Sequence, residues 1–143
     1  MTCYDTDAPT GSGFWHWLVV NIPADVSELA EGAGSTGGKL PAGALQTRTD
    51  FGVPSYGGPC PPEGDHPHRY LFTVFAVKTD KLDVKADTSA AVVGFNLHFN
   101  TLARAEIMGL FGELVETPRP QSSMAWRQSG GSRQTLMASV SGG

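Results

Sequence analysis

The stretch FWHWLVVNI at residues 14–22 is apolar on both sides of an alternating pattern, as expected for a β-strand that is covered on both faces. The stretch RYLFTVFAV at residues 69–77 repeats the pattern. We therefore predict that both are central strands of a sheet, and that Pro23 ends the first. A period of two assigns the first strand to two faces, one with Phe14, His16, Leu18, Val20 and Ile22, the other with Trp15, Trp17, Val19 and Asn21.

Glycine and proline punctuate the rest of the chain. The sequence has 18 Gly and 10 Pro, and they separate short aromatic and β-branched runs, which is typical of a mainly β protein with long loops. Residues 24–67 are predicted to be a loop region with a short strand near 43–48. A helix is predicted over about 89–101 and a closing strand over 105–113. Three consecutive N-cap candidates precede the helix, namely Asp87, Thr88 and Ser89.

The length and composition indicate one domain followed by a tail. A chain of 143 residues with 40% hydrophobic content can form one domain with a core. We assign residues 1–113 to that domain. From Leu114 onward the sequence is rich in Ser, Gly, Gln and Pro without a sustained period, so we predict a low-complexity, disordered tail at residues 114–143.

The charge pattern excludes several classes of partner. The net charge is −4 and no run of Lys or Arg occurs, so we expect neither nucleic-acid binding nor attraction to an anionic membrane. No stretch approaches the roughly 20 apolar residues of a membrane span, and the first ten residues lack the features of a signal peptide. A cytoplasmic location is therefore the default expectation. The two cysteines, Cys3 and Cys60, are expected to be free thiols.

Four polar features flank the predicted strands: the turn with Asp5 and Asp7, the strand residue His16, the YGGPCPP loop at 56–62, and HPHRY at 66–70 with His68. Gathered at one end of a sandwich, they would form a small pocket in which imidazolium and backbone N–H groups hold a phosphate. The neighbouring carboxylates would raise the pKa of one Asp and keep both histidines protonated above the reference pKa of roughly 6.5. Four prolines would stiffen the walls of this pocket, namely Pro9, Pro59, Pro61 and Pro62.

Taken singly, these features also fit structural roles. Asp-x-Asp is common in turns, a strand histidine is often a hydrogen-bonded core residue, and Arg69 fits a surface ion pair. We assign His98 on the predicted helix to structure. Two Asp and two or three His also fit a metal site, and hence a metal-dependent hydrolase, although no HExxH motif occurs. No nucleophile motif surrounds the candidate nucleophiles Ser12, Ser55 and Cys60.

Three longer blocks of sequence, taken together, are more specific evidence of function than any of these single features. They are DTDAPTGSGFWHWLVVNIP, DFGVPSYGGPCPPEGDHPHRYLFTVFAV and FNLHFNTLARAEIMGLFGE. They resemble the phosphatidylethanolamine-binding protein family, in its bacterial Raf-kinase-inhibitor-like branch, over residues 3–113. The resemblance implies a mainly antiparallel β-sandwich with a peripheral helix and a small anion pocket. We expect a non-catalytic binding protein for phosphate, phosphoethanolamine-like or other anionic ligands, without a cofactor. The alternative that the family name implies is a kinase or protease inhibitor acting through protein contacts.

The family signatures fall on particular positions of this chain. The first, usually Asp-Pro-Asp-Ala-Pro, falls on residues 5–9, and the Gly-x-x-His-Arg signature falls on residues 65–69. This makes His68 the pocket histidine and Tyr70 a wall, beside the strand histidine His16. A proline-rich rim corresponds to residues 59–62. The resemblance also implies a cis Ala8–Pro9 bond.

The chain departs from the family pattern in two ways. Thr6 replaces a proline of the first signature, and Asp65 and Pro67 alter the second. Family members also carry a few dozen residues before the first signature, so we expect an N-terminally truncated domain in which a segment that carries targeting signals in relatives is missing. Missing strands would expose apolar faces and unpaired edges. We therefore expect reduced stability, offset by homodimerisation.

Overall fold

The computed structural model describes residues 1–113, and the predicted tail at 114–143 lies outside the described residues. The elements are β1 (Thr2–Asp5), β2 (Phe14–Val20), β3 (Leu45–Gln46), β4 (His68–Val77), α1 (Ala90–Asn100) and β5 (Thr101–Phe111). The strands form one sheet with the order β3-β2-β1-β4-β5, in which all neighbours are antiparallel. The expected class, mainly β with antiparallel strands and one peripheral helix, is confirmed. No helix within residues 1–113 is long and apolar enough to span a membrane.

The alternating patterns predicted β2 and β4 to within two residues, but not the strand between them. β1 pairs with β2 on one side and with β4 on the other, so it occupies the centre of the sheet. The four residues TCYD are too short for a clear period. β2 ends at Val20, before Pro23, because Asn21 adopts a left-handed backbone with φ of 57° and exchanges hydrogen bonds with the backbone of Leu82.

A β-bulge changes which face His16 occupies. Cys3 is opposite Trp17 and Tyr4 is opposite Trp15, so the register with β1 skips His16. Trp15 therefore packs with Leu18 on one face of the sheet. The ring of His16 lies on the other face, 5.2 Å from that of Tyr70. The predicted grouping of His16 with Leu18 and Val20 is wrong for this reason.

Two clusters of buried apolar residues pack on the two faces of the sheet. On one face, the cluster with Leu18 and Val20 packs against α1 through Ala90, Val93 and Leu97. On the other face, partly buried residues of the 22–56 loop region cover a second cluster, which consists of Cys3, Trp17, Val19 and Tyr70. Both cysteines are free, as predicted.

The helix and the last strand follow each other without a loop. Ser89 is the N-cap of α1, and its hydroxyl accepts a hydrogen bond from the Val92 amide. Thr101 ends the helix, and its hydroxyl donates to the Leu97 carbonyl. The predicted closing strand is confirmed but begins four residues earlier, at Thr101, and pairs with β4 along its length.

Candidate functional site

Asp5, the last residue of β1, forms the buried centre of the site. Its side chain is almost fully buried. Oδ1 accepts hydrogen bonds from the backbone amides of Asp7 (2.9 Å) and Ala8 (3.1 Å), which shapes the turn after the strand. Oδ2 lies 2.8 Å from Nδ1 of His68. One carboxylate therefore fixes the turn and orients a histidine of the neighbouring strand.

His68, the first residue of β4, lies between two carboxylates. Its ring is 1% exposed, with Nδ1 facing Asp5 and Nε2 lying 3.2 Å from Oδ2 of Asp65. Burial alone lowers the pKa of His68, but the hydrogen bonds to Asp5 and Asp65 outweigh it and raise the pKa above its usual value. The predicted direction for this histidine is confirmed. The ring is therefore an imidazolium over more of the neutral range than a free histidine.

His16 is held by a loop rather than by a carboxylate. Its Nδ1 lies 3.0 Å from the Gly57 carbonyl and 3.2 Å from that of Gly58, so Nδ1 carries a proton and donates it. Nε2 is 3.8 Å from Oδ2 of Asp5, beyond hydrogen-bonding distance. Among residues 1–113 this nitrogen has no hydrogen-bond partner, which leaves it available to a ligand.

Tyr70 separates the two imidazoles. Its ring is edge-on to His16 at 5.2 Å and stacked with His68 at 6.5 Å. The hydroxyl is buried and makes no hydrogen bond of good geometry among the described residues, although the Asp5 carboxylate and the Cys60 backbone amide lie near it. Burial, reinforced by the negative charge of Asp5, raises the pKa of Tyr70, so the hydroxyl remains a neutral donor. A buried donor without a partner is costly unless another group satisfies it.

Asp7 does not share a pocket surface with Asp5. Its carboxylate binds Arg69 through Nη2 (2.7 Å) and Nε (2.9 Å), and it also accepts the Arg69 backbone amide at 2.8 Å. These hydrogen bonds hold the pKa of Asp7 well below its usual range. The expected like-charge increase is therefore wrong for Asp7. The ion pair, half-exposed on the arginine side, fastens the turn to the start of β4.

The four prolines that were predicted to stiffen the pocket differ in how exposed they are. Pro9 and Pro62 are exposed, whereas Pro59 and Pro61 are half-buried. The Ala8–Pro9 bond is trans, so the expected cis bond is wrong. The turn closes with a trans bond because the Ala8 amide binds Asp5 and the Ala8 carbonyl accepts the Thr10 amide at 2.7 Å.

Asp65 contacts His68, although the sequence did not predict a role for it in the site. It ends a turn in which its amide donates to the Pro62 carbonyl at 3.1 Å, and its side chain is 39% exposed. The only local signal was its spacing of three residues from His68. The structure thus brings together Asp5, His16, His68 and Tyr70, adds Asp65, and leaves Asp7 in an ion pair beside them. A cavity of about 860 Å³ lies elsewhere, and none of these residues lines it.

Comparison with known proteins places the chain in a family. The family model described as phosphatidylethanolamine-binding protein matches residues 1–112. The UPF0098 protein YbhB of Escherichia coli is 55% identical over 111 residues, which cover 78% of this chain and 70% of that protein. The UPF0098 protein YbcL of the same organism is 54% identical over 112 residues, which cover 78% of this chain and 61% of YbcL.

Solved structures agree with this assignment. The crystal structure of E. coli YbcL, described as a new member of the mammalian PEBP family, matches with a TM-score of 0.76 and 53% identity, covering 79% of this chain and 70% of that one. A putative PEBP homologue from Chlamydia trachomatis matches with a TM-score of 0.65 and 27% identity, over 78% of this chain and 69% of that one. All strands of the sheet and the site residues lie within residues 1–112, which the family model matches. This chain belongs to the phosphatidylethanolamine-binding protein family.

Proposed function

We propose that the chain is a non-catalytic binding module whose site between the turn at residues 5–9 and the start of β4 takes a phosphate-bearing or other small anionic ligand. The observation that supports this most directly is the pair of polar atoms left without partners among residues 1–113. These are the hydroxyl of Tyr70 and Nε2 of His16, which is 3.8 Å from the Asp5 carboxylate and therefore too far for a hydrogen bond. The two rings are 5.2 Å apart. Both atoms suit the oxygens of an anion when His16 is protonated.

The charge of the site sets the kind of ligand. Arg69 neutralises Asp7, and Asp5 balances the His68 imidazolium, so the site suits an anion only where the ligand takes the place of the Asp65 carboxylate. Asp5 is satisfied by two backbone amides and His68, so it orients the imidazolium. An anion that reaches Nε2 of His68 must displace the carboxylate of Asp65. Asp65 is therefore a built-in competitor for the ligand.

The test is a titration of inorganic phosphate, and separately of phosphoethanolamine, into the full chain with the histidine ring signals assigned by two-dimensional NMR. We expect the signals of His16 and His68 to shift together and saturate. His98, which is exposed on α1 away from the site, provides the control ring. A titration in which neither site ring responds, or in which His98 shifts equally, contradicts the proposal.

Two variants separate the ligand from the fold. His68→Asn removes the imidazolium and should abolish saturable binding, with the intact NMR spectrum reporting that the chain remains folded. Asp65→Asn removes the competing charge from a partly exposed side chain and also one of the two carboxylates that raise the pKa of His68. At a pH where His68 stays protonated, it should strengthen binding. Unit charges 4 Å apart in water repel by ~1 kcal/mol, which corresponds to about fivefold in affinity. This comparison belongs at about pH 5.5, where a histidine with the ordinary pKa of roughly 6.5 is about nine-tenths protonated. An unchanged or weaker affinity of Asp65→Asn would refute the role of Asp65.

The two alternative functions, inhibition of a kinase or protease and metal-dependent hydrolysis, predict different experimental results. Inhibition of a kinase or protease through the exposed loops would survive His68→Asn. A metal-dependent hydrolase requires a ligand set, and among residues 1–113 no group of three or more His, Cys, Asp or Glu is arranged to hold a metal ion. Purified protein that carries stoichiometric metal, with activity lost to a chelator, would favour the hydrolase. The cytoplasmic location and the bacterial Raf-kinase-inhibitor-like branch stay predictions.

A further inference from the structure

The charged groups of the candidate site largely balance one another. The Asp7 carboxylate binds the guanidinium of Arg69 at 2.7 Å, and Oδ2 of Asp5 lies 2.8 Å from Nδ1 of His68. Asp65 adds a further carboxylate, 3.2 Å from Nε2 of the same ring. When His68 is protonated, three carboxylates face two cations. An anion that takes the place of the Asp65 carboxylate finds the other groups neutral in sum, so tight binding needs a further cation.

His66 lies beside these groups and makes no ion pair within residues 1–113. The other two histidines of the site face carboxylates, because Nε2 of His16 is 3.8 Å from Asp5 and His68 lies between Asp5 and Asp65. The ring centre of His66 is 5.6 Å from that of His68, with the ring planes at 51°. The side chain of His66 is exposed, whereas that of His68 is buried. His66 therefore stands on the solvent side of the buried imidazole.

The positive charge of His66 already acts on one carboxylate of this region. The hydrogen bonds from Arg69 are the main cause of the low pKa of Asp7, and the nearby charge of His66 lowers that pKa further. Asp7 lies in the turn after β1, and His68 is the first residue of β4. His66 is therefore close to both segments that border the site, and its charge attracts an anion held between them in the same way.

The spacing of the two imidazoles suits one shared anion. Two N–H···O hydrogen bonds of roughly 2.9 Å each span up to about 5.8 Å between donors, and the ring centres of His66 and His68 are 5.6 Å apart. The Asp65 carboxylate holds Nε2 of His68 in the unliganded chain. A ligand oxygen that replaces it keeps this hydrogen bond and has the His66 ring on its solvent side. One turn thus carries both the competing carboxylate and the adjacent imidazole.

We propose that His66 is a further anion-binding residue, which supplies the uncompensated positive charge that a ligand needs once it has displaced Asp65. This inference rests on the proposed anion-binding function and adds a preference to it. The attraction between two charges is proportional to each of them. The site therefore prefers an anion with two negative charges, such as sulfate, to a monoanion of similar shape, such as methanesulfonate, and His66 sets that preference.

The test compares the affinities of sulfate and methanesulfonate for the full chain by calorimetry at about pH 5.5, where a histidine with the ordinary pKa of roughly 6.5 is mostly protonated. His66→Gln removes the charge and keeps a hydrogen-bond donor. Unit charges at the 5.6 Å spacing of the two rings attract in water by roughly threefold in affinity. The variant should therefore bind methanesulfonate about threefold and sulfate about tenfold more weakly. The matched control, His98→Gln, removes an exposed histidine of α1 and should leave both affinities unchanged.

His66→Lys separates the charge of this side chain from the chemistry of imidazole. A lysine stays protonated at about pH 7.5, where a histidine of ordinary pKa is mostly neutral. At that pH His66→Lys should bind sulfate more tightly than the unmodified chain does. Because His66 is exposed, we expect both variants to keep the NMR spectrum of a folded chain.

The outcomes separate this inference from the proposed function. If the unmodified chain binds neither anion, the anion site itself is wrong and His66 has no role in it. If the unmodified chain binds sulfate, the anion site stands, and His66 is then judged by its variants. Equal losses for the two anions in His66→Gln, unchanged affinities in His66→Gln, an equal effect of His98→Gln, or no gain in His66→Lys overturns the role of His66.

Discussion

Replacement of Asp5 by alanine tests whether one buried carboxylate organises the site and the turn beside it. The substitution removes the acceptor of three hydrogen bonds, two from the backbone amides of Asp7 and Ala8 and one from His68. The two amides lie in half-buried residues, where water can replace part of the loss. The ring of His68 is 1% exposed, so its charge loses a partner that water does not replace.

The magnitude follows from these contacts. Leaving a buried donor unsatisfied costs ~1–3 kcal/mol, and breaking a buried ion pair by removing one partner costs ~3–5 kcal/mol. We therefore expect Asp5→Ala to lower the free energy of unfolding by about 3–5 kcal/mol. Asp5→Asn keeps an oxygen for the two amides and loses the charge-assisted bond, so we expect a smaller loss of about 1.5–3 kcal/mol.

The contact between Nδ1 of His68 and Oδ2 of Asp5 also makes the free energy of unfolding depend on pH. The folded-state pKa of His68 is raised, so its contribution to stability is fully present below the unfolded pKa of about 6.5 and is lost as pH rises through the folded pKa. Asp5→Asn removes one of the hydrogen bonds that raise this pKa. The decrease in unfolding free energy over that pH range should therefore be smaller in Asp5→Asn than in the unmodified chain.

The assay is urea unfolding followed by tryptophan fluorescence, since β2 contains Trp15 and Trp17. Asp25→Ala is the matched control, because Asp25 is exposed and makes no hydrogen bond or ion pair through its side chain among residues 1–113. A loss of less than about 1 kcal/mol in Asp5→Ala, the size of one ordinary hydrogen bond, would show that Asp5 does not organise the site. So would equal losses in Asp5→Ala and Asp25→Ala.

Three further predictions concern the core, a turn and the ligand. Leu18→Ala should lower the free energy of unfolding by about 2–5 kcal/mol because Leu18 is 1% exposed, whereas Val92→Ala at a half-exposed helix position should change it by roughly 0.5 kcal/mol or less in urea unfolding. Gly13 and Gly11 both have positive φ, but a Cβ at Gly13 alone would meet atoms of β1, so thermal unfolding should show a larger loss for Gly13→Ala than for Gly11→Ala. Sulfate affinity measured by calorimetry should rise as pH falls through the raised pKa of His68, and a flat profile between about pH 8 and 5.5 would contradict imidazolium binding.

Parts of the site could be predicted because their chemistry is local. The histidine and carboxylate types, their positions beside strands and the family blocks all identified Asp5, His16, His68 and Tyr70 before their contacts were known. Their partners were less accessible to sequence reasoning. The Asp7–Arg69 ion pair joins residues 62 positions apart, and the bond from His16 to the Gly57 carbonyl spans 41. In the sequence Asp65 is only a departure from a signature, and the fold brings its carboxylate to His68.

Local sequence patterns were sufficient to predict β2, β4, α1 and β5. The two-residue periods of β2 and β4, the Ser89 cap of α1 and the glycines of β5 act on neighbouring residues, so each element could be predicted without its partners. The position of β1 between β2 and β4 and the bulge at His16 follow from the folded chain and could not be predicted from local patterns. Strand register depends on hydrogen bonds between distant segments, and a shift of one residue moves a side chain to the opposite face of the sheet. That shift places His16 beside Tyr70 rather than beside Leu18, and the site depends on it.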